Sequence, residues 1–353
     1  MRRLVNILGV PVDDVTMAET LDLVAGLVES GRRSKVSHQV ATVNVDFVVN
    51  ATKDPELLAI LQEASISLPD GMPIVWASRL LGTRIRERVA GADLVEKLAE
   101  RAASNGFRMY LFGSAPGVAA RAATTLTDKF PTLEIVADAG PFVGPDGTMD
   151  PTHVERIAAA RPDVVCVALG NPKQEFWIRR HAHGIGAPVL IGVGGTLDLI
   201  VGEKQRAPLW MQRVGLEWLF RAQQEPGRLA RRYATDFASF VPRLARQVWI
   251  GRPRRGRRGF VRPLDRSATL VSLVGSPRLD DVERAAHIAV ETVDLSDFDR
   301  PDNASADLLL SLAAESRRRG SRLVLRGVSD GVRQRLADLG IDQAFAIERE
   351  VGC

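Results

Sequence analysis

The stretch that decides the fold reads Asp163-Val-Val-Cys-Val-Ala-Leu-Gly170, then Asn171-Pro-Lys-Gln-Glu175, and then Val189-Leu-Ile-Gly-Val-Gly-Gly-Thr-Leu-Asp198. Twice in this stretch an apolar run rich in β-branched residues stops at a glycine and gives way to polar groups. Such runs are typical of parallel strands that are buried on both faces. Ligands of these sheets bind beyond the carboxyl ends of the strands. The stretch therefore predicts an α/β fold with a parallel sheet and a site at these two strand ends.

Length and composition limit the class of protein. A chain of 353 residues with 45% hydrophobic residues predicts two domains with substantial cores. Cys166 lies inside an apolar run and Cys353 lies far from it, so we expect a buried thiol and a reducing compartment. Asp13 and Asp14 come too early for the apolar core of a signal peptide, and no apolar run is long enough to span a bilayer. We expect neither a secreted nor an integral membrane protein.

Polar residues also follow an apolar run in the stretch Thr42-Val-Asn44-Val-Asp46. Alternate residues of an extended chain point to the same face, so Thr42, Asn44 and Asp46 would share one face if the run stays extended. Three polar side chains near a strand end indicate a binding site. The alternative is that Thr42 and Asn44 only cap the helix that follows.

Asp70 is held at a sharp bend between a predicted strand and a predicted helix. Pro69 fixes one backbone dihedral angle, and Gly71 permits conformations that other residues avoid. A carboxylate at such a bend is either the N-cap of the helix or a catalytic group. The residues alone leave both interpretations open.

Another strand, glycine turn and helix are predicted across residues 109–117, around Gly113. The free backbone amides at the start of this helix could hold a phosphate group. Turns of this kind occur throughout doubly wound folds, so this motif alone specifies no ligand.

Positive charge is concentrated in the C-terminal third of the chain, although the net charge is only +4. From residue 209 to 248 the apolar spacing is helical, and Arg228, Arg231 and Arg232 fall on one helical face. The segment 249–262 is rich in arginine and contains no acidic residue. It could bind an anionic membrane or a nucleic acid, or be a solvated linker. The amphipathic aromatic helix before it favours the membrane.

These patterns predict four parts of the chain. They are an α/β core over 1–208, a helical appendage over 209–248, a basic linker over 249–266 and a small α/β domain over 267–353. In the last part, strands are predicted at 268–274, 291–295 and 322–326, with helices at 279–289, 304–320 and 330–339. This part has no histidine cluster and no obvious nucleophile, so a binding or scaffolding role is its default.

Residues 4 to about 245 resemble the WecG/TagA/CpsF family of bacterial glycosyltransferases. The motifs that carry the resemblance are Thr42-Val-Asn-Val-Asp46, Pro69-Asp-Gly-Met-Pro-Ile-Val-Trp76, Arg88-Val-Ala-Gly-Ala-Asp93, Gly170-Asn-Pro-Lys-Gln-Glu175, Gly192-Val-Gly194 with Asp198, Gly202 and Arg206-Ala-Pro208, and Gly215-Leu-Glu-Trp218 with Arg221, Glu225-Pro226, Arg228 and Arg231-Arg-Tyr233. These motifs occur in order over two thirds of the chain, which makes the resemblance specific. It implies a Rossmann-like glycosyltransferase domain followed by amphipathic helices.

The resemblance implies an inverting hexosyltransferase that moves a sugar from a UDP-sugar to a polyprenyl-diphosphate-linked sugar. The sugar would be of the N-acetylmannosamine type, a uronic acid or a hexose, and the product would belong to the cell envelope or an exopolysaccharide. The enzyme would act at the inner face of the plasma membrane, as a peripheral protein on an anionic surface. The resemblance further implies catalysis without a metal or other cofactor, and no Asp-x-Asp stands beside a donor-type glycine loop.

Roles for single residues follow from the same resemblance. Asp70 is implied as the general base, with Thr42 beside it. Arg228 and Arg231 would balance the charge of the departing UDP. The remaining residues implied to bind the substrates are Asn44, Arg88, Gly113, Gln174, Glu175, Gly194, Asp198 and Arg206.

Residues 268–349 resemble a STAS domain of the anti-sigma-factor antagonist type. The matching residues are Val293-Asp-Leu-Ser-Asp-Phe298, Asp302-Asn-Ala304, Gly320-Ser-Arg-Leu-Val-Leu-Arg-Gly327, and Val332-Arg with Leu336 and Leu339-Gly-Ile341. Asn303 stands where that family often has a phosphorylated serine, and Ser305 is close to it. A STAS-like domain implies a protein partner.

Three readings of the whole chain remain at this point. The first is a membrane-associated glycosyltransferase with a regulatory or docking module. The second is a nucleotide-sensing partner protein, in which the STAS-like unit acts and the rest binds UDP without turnover. The third, a nucleic-acid binder, rests on the arginine-rich segment alone, and we expect no nucleic-acid partner. Homo-oligomerisation is compatible with each of the three.

Overall fold

The computed structural model describes residues 1–140, 142–213, 215–224, 226–252, 259–265, 269–275, 277, 280–281 and 290–348, except for the side chains of residues 209, 213, 226 and 228. The strands are β1 (Leu4–Ile7), β2 (Val10–Asp13), β3 (His38–Val43), β4 (Ile66–Pro69), β5 (Arg108–Gly113), β6 (Glu134–Asp138), β7 (Val164–Ala168), β8 (Val189–Gly192), β9 (Phe260–Pro263), β10 (Leu270–Val274), β11 (Thr292–Asp294), β12 (Val324–Arg326) and β13 (Ala346–Ile347). The helices are α1 (Met17–Ser34), α2 (Val45–Ala51), α3 (Pro55–Glu63), α4 (Met72–Leu80), α5 (Gly91–Asn105), α6 (Val118–Lys129), α7 (Pro151–Ala159), α8 (Lys173–Ile185), α9 (Thr196–Ile200), α10 (Leu209–Arg213), α11 (Glu217–Gln224), α12 (Arg231–Ile250), α13 (Asn303–Arg318) and α14 (Asp330–Asp338). A π-helical turn, Pro226–Ala230, joins α11 to α12, and a 3-10 turn, Asp342–Ala344, precedes β13.

The larger sheet has six parallel strands in the order β4-β3-β8-β7-β5-β6. Every residue of β7 and β8 is buried, which confirms the strands predicted from the two apolar runs. The carboxyl ends of all six strands lie on one edge, and helices cover both faces. Cys166 is buried in this sheet, and burial raises the pKa of its thiol to about 12. The α/β fold class is confirmed.

Two strand ends differ in geometry from the sequence expectation. The extended run ends at Val43, and α2 begins at Val45, so Asn44 and Asp46 do not continue one strand face. The Asn44 side chain caps α2 by accepting a hydrogen bond from the amide of Phe47 at 3.3 Å. Asn44 therefore caps α2, and the shared extended face, which required the run to stay extended, does not form.

Asp70 lies between β4 and α4, as predicted, but it is not the N-cap. Gly71 is the N-cap of α4, with φ at 137°, and no side chain caps that helix. The Asp70 amide donates to the carbonyl of Val43 at 2.8 Å, which ties the bend to the neighbouring strand β3. The carboxylate is therefore available for another role.

The C-terminal part forms a second, mixed sheet in the order β13-β12-β11-β10-β9. β9 is antiparallel to β10 and the other strands are parallel. Two parts of the predicted linker 249–266 have regular secondary structure, because α12 continues to Ile250 and β9 occupies Phe260–Pro263. Residues 253–258, and most of the helix predicted at 279–289, lie outside the described residues.

The two sheets belong to units that pack tightly together. Leu4 of β1 and Ile250 of α12 are buried in the apolar cluster of the C-terminal unit. Gly9 and Gly340 approach each other so closely that a Cβ atom on Gly9 would lie 2.7 Å from the Gly340 carbonyl oxygen. The N-terminal hairpin β1–β2 thus lies at the junction of both units. Within the described parts of the chain, no helix has the length and apolar character needed to cross a membrane.

Candidate active site

Two adjoining cavities open at the carboxyl edge of the larger sheet. The one that we call the Asp70 cavity has a volume of about 130 Å³, and the one that we call the Gly194 cavity has a volume of about 360 Å³. Arg221, Arg232 and Tyr233 line both cavities. A ligand that extends from one cavity to the other would therefore pass these three side chains.

The Asp70 cavity combines a carboxylate with apolar walls. Asp70, Asn44 and Arg88 line it together with residues of α4, α11 and α12. Its apolar and aromatic lining consists of Val45, Met72, Pro73, Ile74, Trp218, Tyr233 and Phe237. Trp218 packs against Tyr233 and Phe237, with ring centroids 6.2 and 5.3 Å away, which joins α11 to α12 above the cavity.

Its surroundings give Asp70 the properties of a proton acceptor. Burial raises the pKa of its carboxyl group to about 6, because desolvation disfavours the charged form. Glu217 raises this pKa further, whereas Arg221, Arg88 and the backbone amide of Gly91 lower it. A carboxylate with this pKa is mostly ionised at neutral pH and is a stronger base than an exposed aspartate.

An ion-pair network connects this cavity to α11. Glu217 accepts a hydrogen bond from Arg88 Nη1 at 2.6 Å and pairs with Arg221 Nη2 at 3.0 Å. Burial disfavours the charge of Glu217, but the two guanidinium groups outweigh that effect and lower its pKa. The network fixes Arg88 and Arg221 on either side of one carboxylate, close to Asp70.

The wall shared by α2 and α12 carries two further carboxylates. Asp46 and Asp236 both line the Asp70 cavity, with Arg232 nearby. Burial, and then the charge of Asp46, raises the pKa of Asp236 to about 6. The sequence pattern placed Asp46 among polar side chains that indicate a site but gave it no role of its own, and nothing in the sequence analysis pointed to Asp236.

The Gly194 cavity lies beyond the ends of β5, β7 and β8. Gly194 has φ at 52°, and no atom lies within 4 Å of the position that its Cβ would occupy. Ser114 donates to Asp198 at 2.9 Å, and Lys204 pairs with Asp198 at 3.0 Å. The predicted residues Gly194 and Asp198 therefore line the cavity together with a cation and a hydroxyl group.

Gln174 and Glu175 are buried behind this cavity. The Gln174 carbonyl accepts from the amides of Gly194 at 3.0 Å and Gly170 at 3.2 Å, and its amide donates to Glu175 at 2.8 Å. Asn171 donates to the other oxygen of Glu175 at 3.0 Å. Burial raises the pKa of Glu175 to about 8. The resemblance implied that Gln174 and Glu175 contact the substrate. Neither side chain lines these cavities; the two side chains support the glycine loops at Gly170 and Gly194 instead.

Three more predicted residues also have partners within the protein. Thr42 is buried beside Gly91 and donates its hydroxyl proton to the Gly192 carbonyl at 2.8 Å, which ties β3 to β8. Gly113 approaches Ala168, whose carbonyl oxygen would lie 2.8 Å from a Cβ atom added to Gly113. Ser114, the residue after Gly113, lines the Gly194 cavity instead. Arg206 forms a bidentate ion pair with Asp93, in which Nη1 and Nη2 donate to the two carboxylate oxygens at 2.5 and 2.6 Å. None of the three lines the two cavities.

The arginines of the appendage that line the cavities differ from those that were predicted to bind the substrate. Arg231 is exposed and absent from both cavity walls, whereas its neighbour Arg232 lines both. The side chain of Arg228 lies outside the described structure. Arg221 also lines both cavities, and its place four residues after Glu217 in the last quoted motif was the signal for it.

The geometry defines a class of protein, and the comparisons identify the family. A glycine-lined cavity at the ends of parallel strands, next to a carboxylate with a raised pKa, is typical of enzymes that act on nucleotide-linked substrates. The protein-family model described as glycosyl transferase WecG/TagA/CpsF family matches residues 5–254 of the sequence. A second family model, described as Mlab, STAS domain, matches residues 268–348. The chain belongs to the WecG/TagA/CpsF family and carries a C-terminal STAS domain.

Curated relatives are named N-acetylglucosaminyldiphosphoundecaprenol N-acetyl-beta-D-mannosaminyltransferase. The relative from Bacillus spizizenii is 35% identical over 193 residues, which cover 54% of this chain and 73% of the relative. The relative from Bacillus subtilis strain 168 is 34% identical over 198 residues, covering 56% of this chain and 75% of the relative. That from Staphylococcus aureus strain MW2 is 30% identical over 227 residues, covering 64% and 87%.

Proposed function

We propose that this protein transfers a sugar from a UDP-sugar to a sugar carried on a polyprenyl diphosphate, in the synthesis of a cell-envelope polysaccharide. The observation that carries the proposal is the raised pKa of Asp70 in a cavity that adjoins a second, glycine-lined cavity. The names of the relatives support a polyprenyl-linked N-acetylglucosamine as acceptor and N-acetylmannosamine as the transferred sugar. A uronic acid or another hexose remains the alternative donor sugar.

Asp70 is the general base of the proposed reaction. Its carboxylate takes the proton of the acceptor hydroxyl while that oxygen attacks the anomeric carbon of the donor sugar. The bond from the anomeric carbon to the UDP oxygen breaks, and UDP leaves with the electron pair. A single displacement of this kind inverts the anomeric configuration, and it needs the acceptor in the Asp70 cavity with the nucleotide in the Gly194 cavity.

Cationic side chains balance the charge of the departing UDP in this proposal. Arg221 and Arg232 stand where the two cavities join, and Lys204 lines the Gly194 cavity. Charge that develops on the diphosphate would thus meet guanidinium groups already held in place. We propose that these residues supply the electrostatic stabilisation and that the enzyme needs no metal ion.

We further propose that the enzyme acts as a peripheral protein on the inner face of the plasma membrane. A polyprenyl-linked acceptor resides in a membrane, and the helices around the site expose large apolar side chains. Trp210 is 61% exposed, Val241 55% and Trp249 71%. Together with the arginine-rich segment 249–262, such residues favour an anionic lipid surface. Retention on anionic liposomes but not on duplex DNA, at moderate salt, tests this assignment.

The decisive test of the proposed function is product analysis. The full chain is incubated with each of a panel of UDP-sugars and a polyprenyl-diphosphate-linked N-acetylglucosamine, and the lipid product is analysed by mass spectrometry. We expect a mass increase of one sugar residue and an equal release of UDP, with UDP-N-acetylmannosamine the best donor. Binding of UDP without any product from the panel would contradict the proposal and favour a nucleotide-sensing protein.

A further inference from the structure

The contact between the two units is built around a buried carboxylate that the proposed reaction does not use. Asp307, on α13 of the STAS domain, accepts a hydrogen bond from the backbone amide of Asn6 at 2.7 Å. Its other oxygen accepts from the hydroxyl of Thr83 at 2.6 Å. Asp307 is only 7% exposed, so both oxygens are satisfied by the transferase unit and not by solvent.

Thr83 opens a loop that leads into the Asp70 cavity. Residues 83–90 have no regular secondary structure, and individual hydrogen bonds hold their course. At the start, the amides of Thr83 and Ile85 donate to the carbonyl and the hydroxyl of Ser78, each at 3.0 Å. The loop is held near its middle by Asp14, which accepts from the amide of Arg86 at 2.8 Å, and at its end by the bond from the Val89 amide to the Pro69 carbonyl at 3.0 Å. Arg88 lies between these two anchors and lines the cavity.

The STAS domain adds a side-chain anchor at the start of this loop, beside the bonds to Ser78. Besides the bond from Thr83 to Asp307, the Asn303 side chain donates to the carbonyl of Leu81 at 3.3 Å, just before the loop. Both contacts come from the same face of α13. Asn303 is 5% exposed, so the transferase unit covers the position at which the sequence resemblance raised a modification. Ser305 is 0% exposed and bonds to Asp302 in the cap of α13.

We propose that Asp307 is a positioning residue for the transferase site: through Thr83 it holds the 83–90 loop so that Arg88 meets Glu217 beside Asp70. The inference rests on the proposed function and extends it, because it makes the STAS domain a part of the active enzyme. The partner of this face of the domain is then the transferase unit of the same chain.

The alternative is that Asp307 only stabilises the junction of the units. The chain offers a matched control for that alternative. Ser311, one turn further along α13, accepts a hydrogen bond from the backbone amide of Leu4 at 3.0 Å; within the described part of the chain it makes no hydrogen bond to the 83–90 loop. Loss of the Ser311 hydroxyl weakens the same junction on the side of β1. A purely structural role predicts similar effects for the two sites.

The test uses the full chain with Thr83→Val, Asp307→Ala, Asp307→Asn and Ser311→Ala. Asparagine can still accept from Asn6 and can donate to the Thr83 oxygen, so Asp307→Asn is the conservative variant. Two measurements are made on each: amide hydrogen exchange of peptides covering 81–90, and kcat and KM of the transfer reaction. Thr83→Val removes the same hydrogen bond while it keeps the shape of the side chain, so the test can still be read if Asp307→Ala does not fold.

We expect faster exchange in the loop for Thr83→Val and Asp307→Ala, with normal exchange there for Ser311→Ala and Asp307→Asn. The value of kcat should fall about tenfold in the first two variants and less than about twofold in the others. In an Arg88→Ala background, Thr83→Val should cause no further loss, because both changes act through the same side chain. Equal effects of Ser311→Ala and Asp307→Ala, or unchanged loop exchange in Thr83→Val, would overturn the inference.

Failure of the proposed function has a different signature. If the wild-type chain transfers no sugar, the proposed reaction is wrong, and the exchange measurement still decides whether Asp307 holds the loop. If the wild-type chain is active and the loop exchanges normally in every variant, the reaction stands and the positioning role is wrong.

Discussion

Two motifs that follow strand ends of the same sheet have opposite positions relative to the cavities. Asp70, with Arg88 and Glu217 around it, faces a cavity. Gln174 and Glu175 are 1% and 0% exposed and lie behind the loops that line the other cavity. A polar motif at a strand end thus indicates a site, but it does not tell whether the side chain meets the ligand or holds the backbone that does.

The difference appears in how the polar groups are satisfied. Both the carbonyl and the amide of Gln174 are used inside the protein, on Gly170, Gly194 and Glu175. Asp70 has an open cavity in front of it, with ionic neighbours that tune its pKa without a direct pair. One motif therefore contributes to stability and loop geometry, whereas the other is free for chemistry.

The largest effect that separates the two motifs is expected from Asp70→Asn. Loss of the base should lower kcat by about 10³-fold, within the range of general-base contributions. The melting temperature should stay the same or rise, because a charge in a desolvating position is removed. UDP release measured with donor and acceptor, together with thermal unfolding, checks both. Glu134→Gln, a carboxylate at the opposite edge of the sheet, is the control, and an equal loss there would contradict the role of Asp70.

Gln174→Ala is expected to show the reverse pattern. It leaves the buried amides of Gly170 and Gly194 without their acceptor, which should cost on the order of 1–3 kcal/mol for each unsatisfied group. The melting temperature should fall, and UDP affinity should fall with it because Gly194 lines the cavity in which we propose that the nucleotide binds. Calorimetry and a UDP binding titration measure the two effects. A variant with normal stability and only a loss of kcat would show that Gln174 acts directly on substrate.

A smaller, pH-dependent effect is expected from Glu175→Gln. The pKa of Glu175 is raised from 4.5 to about 8 in the folded protein. Between these values the folded protein keeps the proton while the unfolded chain loses it, so stability falls as pH rises through that window. Glutamine has no charge to bury. The variant should therefore gain melting temperature relative to the wild type as pH increases from about 5 to 8. A difference that does not change with pH would mean that Glu175 is not the group that burial keeps protonated.

Much of this architecture is predictable from the sequence for physical reasons. Buried parallel strands need continuous apolar runs, so β7 and β8 were evident, and the Pro-Asp-Gly bend placed Asp70 between strand and helix. Motifs near strand ends also located Asn44, Gly194 and Asp198 at the cavities.

Other features depend on contacts between distant segments. Whether Arg231 or Arg232 faces the site depends on how α12 packs against α2 and α11, which spacing along one helix does not specify. The bond from Thr83 to Asp307 joins residues 224 positions apart, and no local pattern encodes it. The sequence showed a STAS-like unit but not that its helix α13 packs on the transferase.

The most direct test of the central claim is the pH dependence of kcat/KM in the wild type and in Glu217→Gln. If Asp70 is the base, the rate should be lost as pH falls below about 6, where its carboxylate takes up a proton. Glu217 raises the pKa of Asp70, so its neutralisation should move the inflection to lower pH. An inflection that stays near pH 6 in Glu217→Gln, or that moves upward, would contradict the assignment of Asp70 as the base.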